Sequence, residues 1–125
     1  MMRWLAFWLL LAWPAWATTT QWVGVYSCAQ GASAMKLTII DDDPARLTAV
    51  LAFGPTPANA AVPRGSYTLR GARRGDQVEL RPEAWLEQPP GYEMVGLRGS
   101  LEGDRYQGQV GHASCGAFSV QRRTR

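Results

Sequence analysis

Histidine, lysine and cysteine are scarce in this sequence of 125 residues, which holds one histidine, one lysine and two cysteines. His112 and two cysteines that can pair with each other leave too few nitrogen and thiolate ligands for a zinc site. Nucleophilic catalysis needs a serine, threonine or cysteine with a base in reach. We assign Ser114 and His112 to opposite faces of a strand, with His112 on the surface or rim near the disulfide. The sequence therefore predicts no catalytic residues, no metal and no cofactor.

A strong charge of one sign is also absent, because the formal net charge is +3 at pH 7. The basic residues are nearly all arginines, and their small clusters at 73–74 and 122–125 lie beside a turn or at the end of the chain. Nucleic-acid binding depends on many clustered basic side chains that neutralise phosphates. We therefore predict no nucleic-acid partner.

One long apolar run is present, and it lies at the start of the chain. Arg3 precedes the apolar residues 4–12, and Ala15 and Ala17 place small side chains where a signal peptidase cleaves. Pro14 breaks the run, which is too short to cross a hydrocarbon core of about 30 Å. We expect residues 1–17 to be a signal peptide and residues 18–125 to form one domain. The expected location is periplasmic or secreted, without stable membrane insertion.

Alternation with a period of two dominates the rest of the chain. In residues 21–31, large side chains such as Trp22 and Tyr26 share one parity, as in a strand. Further short alternating segments follow, with turns every eight to twelve residues, which favours an all-β, up-and-down antiparallel barrel of about eight strands. Two cysteines in an exported chain most simply form one disulfide, Cys28–Cys115. Such a bond ties the first strand to the last.

The apolar parity of these segments gives the expected barrel interior. An eight-stranded barrel is just wide enough to be filled by side chains or to hold one small ligand. The predicted interior residues are Trp22, Tyr26, Met35, Leu37, Ile39, Leu47, Leu51, Phe53, Tyr67, Leu69, Val78, Leu80, Val95, Leu97, Tyr106, Val110, Phe118 and Val120. Because this set is bulky, we expect a packed core, with binding through loops or an open mouth.

The segment from Pro82 to Tyr92 interrupts the alternation and is stiffened by prolines. We interpret this segment, which holds Trp85 and Leu86 between prolines, as forming one helical turn. Trp85, Glu87, Tyr92 and Glu93 combine aromatic rings with carboxylates, a composition suited to a preorganised contact surface. An equally weighted interpretation makes Trp85 a plug for one end of the barrel. The sequence does not assign the second loop, residues 55–64, to either end.

Carboxylates offer two further hypotheses. Residues 41–43 are three consecutive aspartates that suit either a calcium ion or, more simply, a solvated turn. Glu83, Glu87 and Glu93 flank the Trp85 segment, and a glycan hydrolase would need two of them held about 5 to 9 Å apart. Nothing in their spacing secures that distance.

Three motifs carry a resemblance to a known kind of domain. They read WxGxYxC at 22–28, VPxGSY at 62–67 and GYxMVGLxG at 91–99, with Cys115 near the end. Together they resemble a small bacterial exported domain that occurs alone and beside caspase-like peptidases. The resemblance implies no established activity and no catalytic residues.

A more distant resemblance is to the periplasmic inhibitors of c-type lysozyme, through the Tyr-x-Cys start, the barrel and the terminal cysteine. Those inhibitors insert a loop bearing Ser and Lys into the target's cleft, and this chain has no matching Ser-Gly and Lys-Gly segments.

The predicted function is therefore a non-enzymatic periplasmic or secreted module that binds a protein or an envelope glycan through Trp85, Glu87, Tyr92 and Glu93. The alternatives are an inhibitor of a lysozyme-type hydrolase, a carrier of a small apolar ligand, and a carboxylate-driven glycan hydrolase.

Overall fold

The computed structural model describes residues 18–123, so the expected signal peptide lies outside the described residues. The strands are β1 (Thr18–Cys28), β2 (Gly31–Asp41), β3 (Leu47–Gly54), β4 (Gly65–Arg74), β5 (Gln77–Glu87), β6 (Gly96–Glu102), β7 (Arg105–Gly111) and β8 (Cys115–Arg122). Each strand pairs antiparallel with the next, and β1 pairs with β8 to close the barrel. The predicted up-and-down barrel of eight strands is confirmed.

The barrel interior is filled by side chains. Every residue predicted to face inward is buried, with at most 6% of its surface exposed, and Ala49 and Val62 join them. Removal of this apolar surface from water, at about 25 cal/mol per Å², is the main favourable contribution to folding. One polar side chain, Ser33, is fully buried opposite Tyr26, and its Oγ has no hydrogen-bond partner among the described residues.

Glycines allow the strands to approach closely along one wall. Gly99 and Gly108 face each other across β6 and β7, and a Cβ on either would overlap a carbonyl oxygen of the opposite strand. Gly24 of β1 is in the same position against Ser119 of β8. A side chain at any of these sites would push the strands apart, which is why glycine recurs where the sheet curves tightly.

The two ends of the barrel differ in their connections. At the long-loop end lie the turn 29–30, the loops 55–64 and 88–95, and the turn 112–114. At the short-turn end, tight connections follow β2, β4 and β6, and β1 begins there. The Cys28–Cys115 disulfide, predicted from the cysteine count, joins β1 to β8 at the long-loop end.

The predicted helical turn in the segment that holds Trp85 and Leu86 is wrong, because β5 continues as a strand to Glu87. Two β-bulges let residues 82–87 stay paired with β4 despite the proline. Pairing between β5 and β6 ends at Leu80 and Leu97. Pro82 therefore lies on an edge of the sheet, where its missing N–H removes no hydrogen bond to β6. No helix among residues 18–123 is long and apolar enough to span a membrane.

Candidate functional site

An open cavity of about 290 Å³ lies at the long-loop end, next to the disulfide. Its polar and aromatic walls come from three connections that are far apart in sequence. The side chains that line it include Tyr26, Gln30, Tyr92, Glu93, His112 and Ser114. The cavity is thus built where β1 and β8 are joined and where the loop 88–95 passes over the barrel.

Loop 88–95 is fixed from below by a buried tyrosine. The hydroxyl of Tyr67 donates a hydrogen bond to the Val95 carbonyl at 2.8 Å and accepts one from the Val95 amide at 3.1 Å. Burial raises the pKa of Tyr67 above its ordinary value of 10, so the hydroxyl stays protonated and can keep both roles. The loop therefore rests on the core rather than standing free in solvent.

Aromatic rings connect the loop to the barrel wall. Tyr92 stacks on Phe53 with ring centroids 5.5 Å apart and planes 16° apart. Trp85 packs edge-on against Phe53 at 6.3 Å and against Tyr67 at 5.3 Å. Offset and edge-on pairs of this kind each add about 0.5 to 1.5 kcal/mol beyond the area they bury. The rings thus hold Tyr92 in place at the cavity.

The structure brings together two of the four predicted binding residues. Tyr92 and Glu93 line the cavity. Trp85 is half-buried against the core, where it packs edge-on against Phe53, and Glu87 is exposed at the end of β5. Tyr92 and Glu93 therefore lie at the cavity, whereas Trp85 and Glu87 do not line it.

The remaining loop is closed over the β1–β2 turn by one side chain. The Asn59 amide donates to the carbonyls of Gln30 at 3.0 Å and Ala32 at 3.2 Å. This places loop 55–64 at the same end as loop 88–95. Because the backbone of Gln30 is held in this way, its side chain starts from a fixed position beside the cavity.

His112 links the turn 112–114 to the loop 88–95, two of the segments that form the cavity. Its carbonyl accepts the Cys115 amide at 3.0 Å, which closes the β7–β8 turn. Its Nδ1 accepts the Ser114 amide at 3.1 Å and lies 2.8 Å from Ser114 Oγ. Its Nε2 lies 2.9 Å from Glu93 Oε1. The prediction that Ser114 faces away from His112 is wrong, since residues two apart on a strand share a face and here both lie in one turn.

These contacts assign the protons on the ring. An amide N–H can only donate, so Nδ1 must be the unprotonated nitrogen and Nε2–H donates to Glu93. The side chains of His112 and Glu93 are 36% and 76% exposed, and such solvated pairs contribute little to stability. The arrangement orders the turn and loop more than it stabilises the barrel.

Tyr26 lies at the inner side of the cavity and is buried. Burial raises its pKa above the ordinary value of 10. The phenol therefore remains protonated at neutral pH and can act as a donor toward a ligand. Tyr26 was predicted as a core residue, and neither Tyr26 nor Gln30 was predicted to line a cavity.

Two of the three glutamates considered from sequence have side-chain partners of their own. Glu83 is bound to Arg70 at 2.7 Å on the outer wall, and Glu93 is bound to His112. Of the three glutamates considered from sequence, Glu93 lines the cavity. Among residues 18–123 there is no group of three or more histidine, cysteine, aspartate or glutamate residues placed to hold a metal ion.

Comparison with models of protein families, with curated proteins and with solved structures found no match to this chain. The resemblances noted in the sequence stay predictions.

Proposed function

We propose that this protein is a periplasmic or secreted binding module whose long-loop end recognises an envelope glycan. The observation that carries the proposal is the cavity of about 290 Å³, where aromatic rings and polar side chains converge. Ligand sites are typically concave, partly apolar and supplied with a few placed polar groups. The disulfide supports an exported location, since such bonds persist in oxidising compartments.

The chemistry of the walls suits a sugar residue. Tyr92 offers an aromatic surface against which the C–H face of a sugar ring can pack, and its own ring is held by Phe53. Glu93 accepts, and Gln30 both donates and accepts, the hydrogen bonds that sugar hydroxyls make in pairs. Tyr26 adds a donor at the inner side.

The site is also rigid before any ligand arrives. The disulfide fixes the turn 112–114 relative to β1, Tyr67 fixes Val95, and Asn59 fixes the turn at Gln30. Preorganisation lowers the entropy lost on binding, so even a small cavity can bind a ligand with appreciable affinity. The filled barrel interior gives no support to the carrier alternative.

Sedimentation with purified peptidoglycan tests the proposal. Wild-type protein should co-sediment, and Tyr92→Ala should weaken binding by roughly tenfold, the effect of losing about 1.4 kcal/mol of aromatic contact. Gln30→Ala should also weaken it, and this variant leaves the Phe53–Tyr92 stack intact. Glu87→Gln is the matched control, because Glu87 lies at the same end but outside the cavity.

Unchanged sedimentation of folded Tyr92→Ala and Gln30→Ala proteins would contradict the proposal. If wild-type protein does not co-sediment with peptidoglycan but inhibits the activity of a lysozyme at a stoichiometric ratio, the partner is a protein and the proposed glycan is wrong.

A further inference from the structure

Ser114, His112 and Glu93 form a continuous chain of hydrogen bonds at the edge of the cavity. Ser114 Oγ lies 2.8 Å from His112 Nδ1, and His112 Nε2 lies 2.9 Å from Glu93 Oε1. Because the Ser114 amide fixes Nδ1 as the unprotonated nitrogen, the serine hydroxyl donates toward the imidazole and the imidazole donates toward the carboxylate. This is the order of proton donors and acceptors that activates a serine nucleophile.

We propose that Ser114 is a nucleophile that removes short acyl groups, such as acetyl, from ester-linked hydroxyls of a glycan. His112 acts as the base, and Glu93 is a positioning residue that holds the imidazole. The glycan as carrier of the ester rests on the proposed function, whereas the acyl-transfer step rests on the side-chain geometry alone. The scarcity of histidine does not exclude this chemistry, since one correctly placed histidine is enough.

The reaction balances as an ester hydrolysis. Ser114 Oγ attacks the ester carbonyl carbon, and its proton passes to His112 Nδ1, where it replaces the hydrogen bond from the Ser114 amide. Glu93 stabilises the imidazolium that results. The bond between the carbonyl carbon and the glycan oxygen then breaks, and Nδ1 returns the proton to that oxygen. Water, deprotonated by Nδ1, attacks the acyl-serine carbonyl, the bond to Ser114 Oγ breaks, and Nδ1 returns the proton to Oγ. A carboxylic acid and the free serine hydroxyl result.

The cavity supplies donors for the negative charge that develops on the carbonyl oxygen. Tyr26 and Gln30 both line it, and burial keeps the Tyr26 phenol protonated. Donors aimed at such an oxyanion lower the free-energy barrier of the reaction most when they are fixed in advance. Here the Gln30 backbone is fixed by Asn59, and Tyr26 is fixed by burial.

The test uses two probes that need no glycan. A fluorophosphonate should label wild-type protein on Ser114, and 4-nitrophenyl acetate should be hydrolysed through an acetyl-serine detectable by mass spectrometry. Ser114→Ala should abolish both. Ser27→Ala is the matched control, because Ser27 is also an exposed serine beside a disulfide cysteine and lies outside the cavity.

Two further variants separate chemistry from folding. Asparagine at position 112 can still accept the amide two residues on, as in an Asx turn, so His112→Asn keeps the turn and removes the base. Its labelling should slow by about 100-fold or more. Glu93→Gln should lower kcat for the acetate ester while leaving KM unchanged, which a purely structural role would not produce.

Absence of wild-type labelling, labelling that persists in Ser114→Ala, or wild-type rates in folded His112→Asn would each overturn the acyl-transfer proposal. Labelling without peptidoglycan sedimentation would support the chemistry and overturn the glycan as its substrate. Sedimentation without labelling would leave the binding module standing and overturn the acyl transfer.

Discussion

The two ends of the barrel are made by the same eight strands, yet they are closed in different ways. At the short-turn end, Gly75 and Gly103 adopt positive φ in tight turns, and the ion pairs Arg73–Asp41 and Arg122–Asp104 lie at the surface. At the long-loop end the closure uses a covalent bond, buried hydroxyl contacts and stacked rings.

The difference indicates where the molecule has to be rigid. Short turns need few tertiary contacts, because the strands themselves set their geometry. A loop of eight residues such as 88–95 has to be held by contacts to the core if it is to keep one conformation. Those contacts surround the cavity, which supports the assignment of function to this end.

The largest effect should come from removing the disulfide. Cys28 and Cys115 are separated by 87 residues, and closing a loop of that length stabilises the fold by about 4 to 5 kcal/mol on the chain-entropy model. The double variant Cys28→Ala/Cys115→Ala should lose most of this in urea unfolding, and reduction of the wild-type protein should match it. A loss below about 1 kcal/mol would mean that the long-loop end is held by its other contacts.

A matched pair of tyrosines should give the next largest difference. Tyr67→Phe leaves both the amide and the carbonyl of Val95 without their partner, whereas Tyr106→Phe removes one bond to the Val78 carbonyl. Each orphaned buried group costs about 1 to 3 kcal/mol, so Tyr67→Phe should be the more destabilising by roughly that amount. Urea unfolding measures both, and hydrogen exchange should show the Val95 amide exposed in Tyr67→Phe alone. Equal costs would show that loop 88–95 is not anchored through this hydroxyl.

Most of the barrel could be predicted because its information is local. Alternation with a period of two identified residues such as Leu37 and Tyr106 as interior without knowledge of any neighbour. The pairing of Cys28 with Cys115 followed from there being two cysteines. The strand at Pro82 was not predicted, because an edge strand with bulges tolerates a proline that a central strand does not.

The candidate site was harder to predict because its contacts are not local. Glu93 reaches His112 across 19 residues, and Asn59 reaches Gln30 across 29. No period encodes such pairs. The contact between His112 and Ser114 is the exception, because the two residues are only two apart in the sequence. They were predicted to lie on opposite faces of a strand, which was wrong.

The smallest effect should come from an ion pair at the short-turn end. Asp41→Asn removes the charge that faces Arg73 at 3.0 Å but keeps an oxygen that can accept the same hydrogen bond. The two side chains are 23% and 33% exposed, so solvent screens the pair and its loss should cost less than about 1 kcal/mol. The cost should shrink further when unfolding is measured at high salt. Asp104→Asn is the matched control, since its partner Arg122 is more exposed and the cost should be smaller still. A cost for Asp41→Asn as large as that of Tyr67→Phe would place comparable stabilising contacts at both ends, and rigidity would then no longer distinguish the end that holds the cavity.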